Sequence, residues 1–323
     1  MRFTRAGRVI LSAASLVVAL AAAACSGPPS PAAPRLEKAS IVVGALPIVD
    51  TAGLYLAQQE GYFQQAGLNV TIVPIEASPQ AIPGLESGKV DIVAGANYVS
   101  FFQAQATGGQ FKLLVDGTAC SPDSFQVLVA AGSGILTPVG LAGKRIAVNV
   151  LSNIQTLLIN ATLQADGVNS ATVHYVQVPF PGMARALARG KVDAISAVEP
   201  FITSAELGIS ASPVMSTCTG STASFPMSGY FSTQKWAQTY PATARAFQAA
   251  MARGQALANT SRVAVEGILP TYIKNLTPTE AAVVNLGQFP TSVNATHLGR
   301  VVSLMVSGGL LSPQFSVQPL LFH

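Results

Sequence analysis

Pro79 to Val93 reads Pro-Gln-Ala-Ile-Pro-Gly-Leu-Glu-Ser-Gly-Lys-Val-Asp-Ile-Val, and Pro181 to Ile195 reads Pro-Gly-Met-Ala-Arg-Ala-Leu-Ala-Arg-Gly-Lys-Val-Asp-Ala-Ile. The offset is 102 residues throughout, so that Leu85 matches Leu187 and Gly88-Lys89-Val90-Asp91 matches Gly190-Lys191-Val192-Asp193. A duplication at a fixed offset means that one supersecondary unit is used twice. Each copy opens on a proline, which the first turn of a helix tolerates because its missing N–H has no intrahelical partner there. Ser78 stands where it can cap the first of these helices. Nine residues after each proline a glycine supplies the left-handed turn that ends the helix. Lys-Val-Asp then leads into a short apolar strand, and further strands over Val70–Ile75 and Val173–Val178 precede the helices. Each unit is therefore β-α-β, which implies a right-handed crossover and a mostly parallel sheet.

The same order extends upstream of each copy. In the first half, Ile41–Leu46 predicts a strand, Asp50-Thr51 opens a helix carrying Leu54, Tyr55, Ala57 and Tyr62, and Gly67 ends it. In the second, Arg145–Val150 predicts a strand, Ser152-Asn153 caps a helix carrying Leu157, Leu158 and Leu163, and Gly167 ends it. Two similar α/β lobes result, with ligand-binding loops expected at the carboxyl ends of the strands and near helix N-termini. From about Pro241 the pattern turns helical, over Ala242–Leu257, Ser261–Ile273, Thr279–Leu286 and Leu298–Val306. Folding these helices back onto the first lobe requires two chain crossings, near Cys120–Ser124 and Cys218–Pro226. The boundaries that follow are 40–122 with 225–323 for lobe 1 and 123–224 for lobe 2, joined by a two-strand hinge.

Composition bounds the class. Half of the 323 residues are hydrophobic and 10% are charged, which excludes a disordered solvating chain. The apolar excess is broken up by 28 Gly and 21 Pro, and past the N-terminus no run reaches the roughly 18 apolar residues that a spanning helix needs. Arg2, Arg5 and Arg8 precede the apolar stretch Val9–Ala24, and Ala22-Ala23-Ala24-Cys25 follows the pattern of a bacterial signal peptide, so residues 1–24 are expected to be a leader. The cysteine resembles that of a lipobox, which implies that Cys25 becomes the lipidated first residue. Residues 25–39, with Pro28, Pro29, Pro31 and Pro34, then form a stiff tether from the membrane. Taking the three leader arginines from the 18 basic residues leaves 15 against 14 acidic ones, so the mature charge is about +1. With no basic run carrying interleaved aromatics, nucleic acid is not an expected partner. Cys120 and Cys218 are the two remaining cysteines, and an even count in an exported chain favours one disulfide.

Gly61-Tyr62-Phe63 followed by Gly67-Leu68-Asn69-Val70 resembles a signature of bacterial ABC-importer binding proteins, of the branch that takes aliphatic sulfonates, taurine, nitrate and thiamine-pyrimidine precursors. Leu141-Ala142-Gly143-Lys144-Arg145-Ile146-Ala147-Val148 and Val198-Glu199-Pro200-Phe201 are similar to the same family. The resemblance runs from about residue 40 to 315. It implies an α/β, two-lobed type II periplasmic-binding-protein fold, each lobe a mostly parallel sheet flanked by helices. It also implies a monomer on the extracytoplasmic face of the cell membrane, capturing a small solute for the transmembrane permease of an ABC importer. It does not fix the solute, because the scaffold is shared across unlike ligands.

The candidate contacts lie on the cleft loops. Asp50 offers a carboxylate to an amino or ring N–H group, with helix capping as its other reading. Ser78 has the same two readings. Asn97 brings a donor and an acceptor, and Tyr98 a stacking face with a polar tip. Ser152 and Asn153 open a helix whose free N–H groups favour an anion. Glu199 is the second acidic candidate, with a hinge salt bridge or a surface contact to the transporter as its alternatives, and Ser124 sits at the first crossing. Lys112, Lys144, Arg145 and Arg185 fall off the predicted loops, which favours a ligand with an amino or amide-like donor, such as an aminopyrimidine or an amino-sulfonate, over a plain anion.

No enzyme constellation accompanies these loops. There is no G-x-S-x-G elbow, His174, His297 and His323 are scattered, and no metal spacing or phosphate-cradling glycine loop is present, so neither metal nor cofactor is expected. Two alternatives remain. One is an enzyme on the same scaffold, similar to thiamine-pyrimidine synthases or menaquinone-pathway dehydratases. The other is a solute sensor without transport.

Overall fold

In the computed structural model, residues 35–322 are described, and residues 36–322 lie in one compact unit. The expected leader, Cys25 and all but the end of the tether lie outside the described residues. Ten strands follow in chain order: β1 (Ser40–Ala45), β2 (Asn69–Pro74), β3 (Ile92–Asn97), β4 (Phe111–Asp116), β5 (Phe125–Val129), β6 (Arg145–Val148), β7 (His174–Gln177), β8 (Ala194–Val198), β9 (Ser212–Ser216) and β10 (Ser228–Thr233). They form two sheets with orders β2-β1-β3-β10-β4 and β7-β6-β8-β5-β9. In the first, β1 runs parallel to β2 and β3 while β10 is antiparallel to β3 and β4. In the second, β6 runs parallel to β7 and β8 while β5 is antiparallel to β8 and β9. The fourth place in each sheet thus goes to the strand formed just after the chain arrives from the other sheet.

Helices follow strands as the duplication predicts. The first half carries α1 (Ala52–Gln59), α2 (Tyr62–Gln65), α3 (Ser78–Glu86) and α4 (Tyr98–Ala106), and the second α5 (Ile154–Ala165), α6 (Phe180–Ala188) and α7 (Phe201–Ile209). Gly88 and Gly190 both hold φ near +70°, at +74° and +63°, where a side chain would strain the backbone. The C-terminal part supplies α8 (Gln234–Thr239), α9 (Pro241–Thr260), α10 (Arg262–Tyr272), α11 (Pro278–Ala281) and α12 (Ala295–Ser307). Helix α9 lies so close to α1 that a Cβ on Gly254 would come within 2.2 Å of the Gly53 carbonyl oxygen. The helix expected over Thr279–Leu286 stops at Ala281. A capping box between Thr277 and Glu280 starts it, and the chain then leaves it to carry Asn285 toward the second half.

The chain passes between the sheets twice, at 117–124 and 217–227. The two passages pair as a short antiparallel ribbon, with Cys120 N–H donating to Phe225 O at 3.0 Å and Met227 N–H to Thr118 O at 2.8 Å. Cys120 and Cys218 are bonded at the head of this ribbon. Apolar packing also joins the halves: Leu157 and Leu158 of α5 share one buried cluster with Phe101 and Phe102 of α4 and Leu298 and Met305 of α12.

Candidate ligand-binding site

The carboxyl ends of β1, β3, β6 and β8 face one another across the two sheets, and a cavity of about 60 Å³ lies between them. This is where open α/β sheets place ligands. Both halves line it. Leu46, Asp50, Ser78 and Asn97 come from the first, and Asn149, Asn153, Ile154 and Phe180 from the second.

Asp50 sits in a 3-10 turn, Val49–Thr51, whose backbone is pinned from two sides. The Thr51 hydroxyl donates to Leu46 O at 2.8 Å, and the Tyr272 hydroxyl to Ile48 O at 3.0 Å. The hydroxyls of Thr118 and Ser228 both donate to Oδ2 of Asp50, which leaves Oδ1 without a hydrogen-bond partner among the described residues. Burial pushes the Asp50 carboxyl up from its ordinary range, and the two hydroxyls offset this only in part. Asn97 ends β3 and caps α4, its Oδ1 accepting from Ser100 N–H at 2.9 Å, so its Nδ2 is left over as a donor. Ser78 accepts from Asn97 N–H at 3.0 Å, which holds the end of β3 to the start of α3.

The second half spends more of its polar atoms on itself. Asn153 caps α5 in a box with Thr156, and its Nδ2 donates at 2.8 Å to Ser100 Oγ in the first half. Gln155 accepts from Asn149 N–H and donates to Ser196 O. The side-chain amide of Asn149 has no partner among the described residues and borders the cavity.

Four of the eight expected contacts therefore meet at the cavity: Asp50, Ser78, Asn97 and Asn153. The other four do not. Tyr98 is buried below β10 with its hydroxyl donating to Asp116, so its ring stacks in the core and turns no face to the cleft. The reason is the phase of the strand-to-helix junction: the residue after Asn97 is the first of α4 and points inward. Ser152 is exposed, with φ +50°, and borders an outer groove between α5 and the end of α12. Ser124 closes a turn on Ser121 and, with Glu199, lines a smaller space of about 20 Å³ behind the main cavity. The carboxylate of Glu199 is filled by Thr203 and Asn285. The capping readings also change. Ser78 is the first helical residue, with Ala77 at the cap position, and Asp50 caps nothing. Sequence reasoning missed Asn149, Gln155, Phe180 and Ser228. The signal for Asn149 was its place just past a strand, hidden by drawing that strand to Val150 when it ends at Val148.

Chemically, the cavity offers one negative group, several amides and hydroxyls, and apolar walls from Ile48, Phe125, Ile154, Phe180 and Met227. None of the residues lining it is Lys, Arg or His. Among the described residues no cluster of three or more His, Cys, Asp or Glu stands ready for a metal, and no helix is long and apolar enough to cross a membrane.

Comparison with known proteins adds a family and a fold. A family model described as "NMT1/THI5 like" matches residues 48–261. A Haemophilus influenzae protein named for thiamine biosynthesis is 28% identical over 159 residues, which is 49% of this chain, and the chain spans about half (49%) of that relative's length. The alkanesulfonate-binding protein SsuA from Xanthomonas axonopodis pv. citri, bound to MOPS, superposes with a TM-score of 0.75 at 20% identity, covering 89% of this chain and 99% of that one. The periplasmic nitrate-binding protein NrtA from Synechocystis PCC 6803 gives a TM-score of 0.73 at 12% identity, covering 86% and 84%. At these identities the two solved structures establish a shared fold, the periplasmic-binding-protein architecture that the motifs around Gly61 and Glu199 imply.

Proposed function

The chain belongs to the NMT1/THI5-like family, and from that membership we propose that it is the solute-binding protein of an ABC importer. In this reading residues 40–122 with 225–323 form one lobe and 123–224 the other. The passages at 117–124 and 217–227 are the hinge, and a lipidated Cys25 holds the molecule on the outer face of a cell membrane. The observation that carries the reading is the cavity at facing strand ends, with hydrogen-bonding groups from both halves converging on it. Such groups act together on a ligand only when the lobes are closed, so a ligand shifts the population toward the closed form. A transmembrane permease then receives that form.

The preferred ligand is small and flat, and carries an N–H donor. Oδ1 of Asp50 is a carboxyl acceptor without a partner among the described residues, the amides of Asn97 and Asn149 supply complementary hydrogen bonds, and Phe125 and Phe180 supply apolar faces. A plain anion would meet no cationic side chain there. An aminopyrimidine fits best, and an amino-sulfonate such as taurine second. Calorimetry of the folded chain with aminopyrimidines, taurine, alkyl sulfonates and nitrate tests this. Tight binding of an amino-bearing compound is expected, and tight binding of nitrate alone would overturn the ligand class.

A further inference from the structure

Glu199 is 2% exposed and, among the described residues, is the one acidic side chain held by donors from both halves. It stands between β8 and α7. From its own half, Thr203 donates its N–H to Oε2 and its hydroxyl to Oε1, each at 3.1 Å. From the other half, Asn285 donates its backbone N–H to Oε1 at 2.9 Å and its Nδ2 to the same oxygen at 3.1 Å. The Glu199 carbonyl oxygen also accepts the N–H of Val49, the neighbour of Asp50, at 3.3 Å. Asn285 is carried by a firm segment: Val284 before it is buried, with its carbonyl held by Arg262, and Gln288 after it pairs with Ala119.

We propose that Glu199 and Asn285 are the latch of the two-lobe clamp, holding the closed arrangement through contacts that do not include the ligand. This rests on the clamp reading above and deepens it by separating the groups that close the cleft from those that recognise the solute. Glu199 and Asn285 border the small rear space and do not line the main cavity, although Asp50, Phe125, Val198 and Met227 border both. Asn285 and Glu199 belong to different halves, so an opening that parts the halves at this point breaks both hydrogen bonds. Leaving a buried carboxyl without its donors is costly, so the pair weights the closed state. Val49, fixed to the same residue, keeps the Asp50 turn in place while the latch is shut.

The test needs no ligand. Spin labels at the exposed positions Glu76 and Gln177, one in each half, report the separation of the lobes in the full chain. Asn285→Ala, which leaves the Thr203 contacts intact, is expected to move the distance distribution toward the open form. Glu199→Ala is expected to do the same, and the double variant to go no further than either alone. An unchanged distribution in Asn285→Ala, or additive shifts in the double variant, would overturn the latch. With an aminopyrimidine as probe, Asn285→Ala is expected to raise the dissociation rate roughly tenfold with the association rate and the order of ligand preference unchanged. A changed order would place Asn285 at the ligand instead. Should no compound in the panel bind, the solute reading fails while the distance measurement still decides the latch.

Discussion

The duplicated Lys-Val-Asp segment performs one backbone task twice in different surroundings. Asp91 donates its N–H to Val42 O and takes the Val42 N–H on Oδ2, at 2.8 and 2.9 Å. Asp193 donates to Arg145 O and takes the Arg145 N–H, at 2.9 and 2.8 Å. Each reciprocal pair fixes the start of the third strand of its half against the central one, which is why the aspartate ends the motif in both copies. The neighbours differ. The Asp91 side chain is 4% exposed and also holds Lys38 Nζ at 2.5 Å and the indole N–H of Trp236 at 2.7 Å. The Asp193 side chain is 32% exposed and holds only the Arg145 guanidinium besides. Helix α8 brings Trp236 over the first half, and among the described residues Asp193 has no such neighbour. The lesson is that duplication preserved the register device, while later packing decided how much each copy supports.

Replacing each aspartate by alanine sharpens that contrast most. Asp91→Ala strands a partly buried ammonium, an indole N–H and a strand N–H, and is expected to cost about 3 kcal/mol of folding stability. Asp193→Ala exposes its donors to water and should cost less than half as much. Chemical denaturation of the two variants measures both, and equal losses would mean that Lys38 and Trp236 contribute nothing through Asp91.

The same inequality reaches the cleft. The first half leaves Oδ1 of Asp50 and Nδ2 of Asn97 free, whereas Asn153 and Gln155 of the second half are spent on capping and on strand ends. Recognition of an amino-bearing ligand should therefore rest on the first half. Asp50→Asn is expected to weaken such a ligand by about 2 kcal/mol, roughly thirtyfold. Acidification should imitate the variant. Burial raises the Asp50 pKa, so binding that needs the carboxylate is lost at a higher pH than an ordinary aspartate would show. Asn149→Ala, which removes a neutral amide from the second half, should weaken the same ligand severalfold at most. Calorimetry across pH on the two variants reads all of this, and a larger loss in Asn149→Ala would reverse the assignment.

What the sequence alone discloses follows the same division. The offset of 102 residues, with Gly88 and Gly190 as helix ends, revealed the parallel trio of each sheet, because those signals are local. The fourth strands were not legible. The strand Ser228–Thr233 carries no marked pattern, and Gly229 is needed in it because a Cβ would come within 2.6 Å of Leu113 Cδ1 and 2.9 Å of the Tyr98 ring. At the cleft, places after strands and at helix starts pointed to Asp50, Ser78, Asn97 and Asn153, which line the cavity. Tyr98 was misread because a helix starting one residue after the strand end reverses which way the next side chain faces. The use of Glu199 depends on Asn285, 86 residues away on a stretch whose composition reads as helix. No local pattern carries that partner.

The smallest effect comes from the weaker copy of the repeated device and gives the comparison its pH signature. The Arg145 guanidinium and backbone N–H hold the Asp193 carboxyl down to about 2, below its usual value near 3.8, despite some burial. A folded-state pKa below the unfolded one contributes stability that is fully present above the unfolded value and lost as pH falls through the folded one. The contribution should therefore fade between about pH 4 and pH 2. In Asp193→Asn the carboxylate is gone, so the difference in unfolding midpoint between wild type and variant should shrink over that window and vanish below it. The pair is solvent-exposed, so added salt should reduce the difference at neutral pH as well. The buried acids Asp50, Asp116 and Glu199 have pKa values raised by burial and titrate on the other side of the window, so they do not mimic this limb. A difference that persists unchanged at pH 2 would show that Asp193 acts through its backbone position alone, leaving the guanidinium without a part in the second half's register.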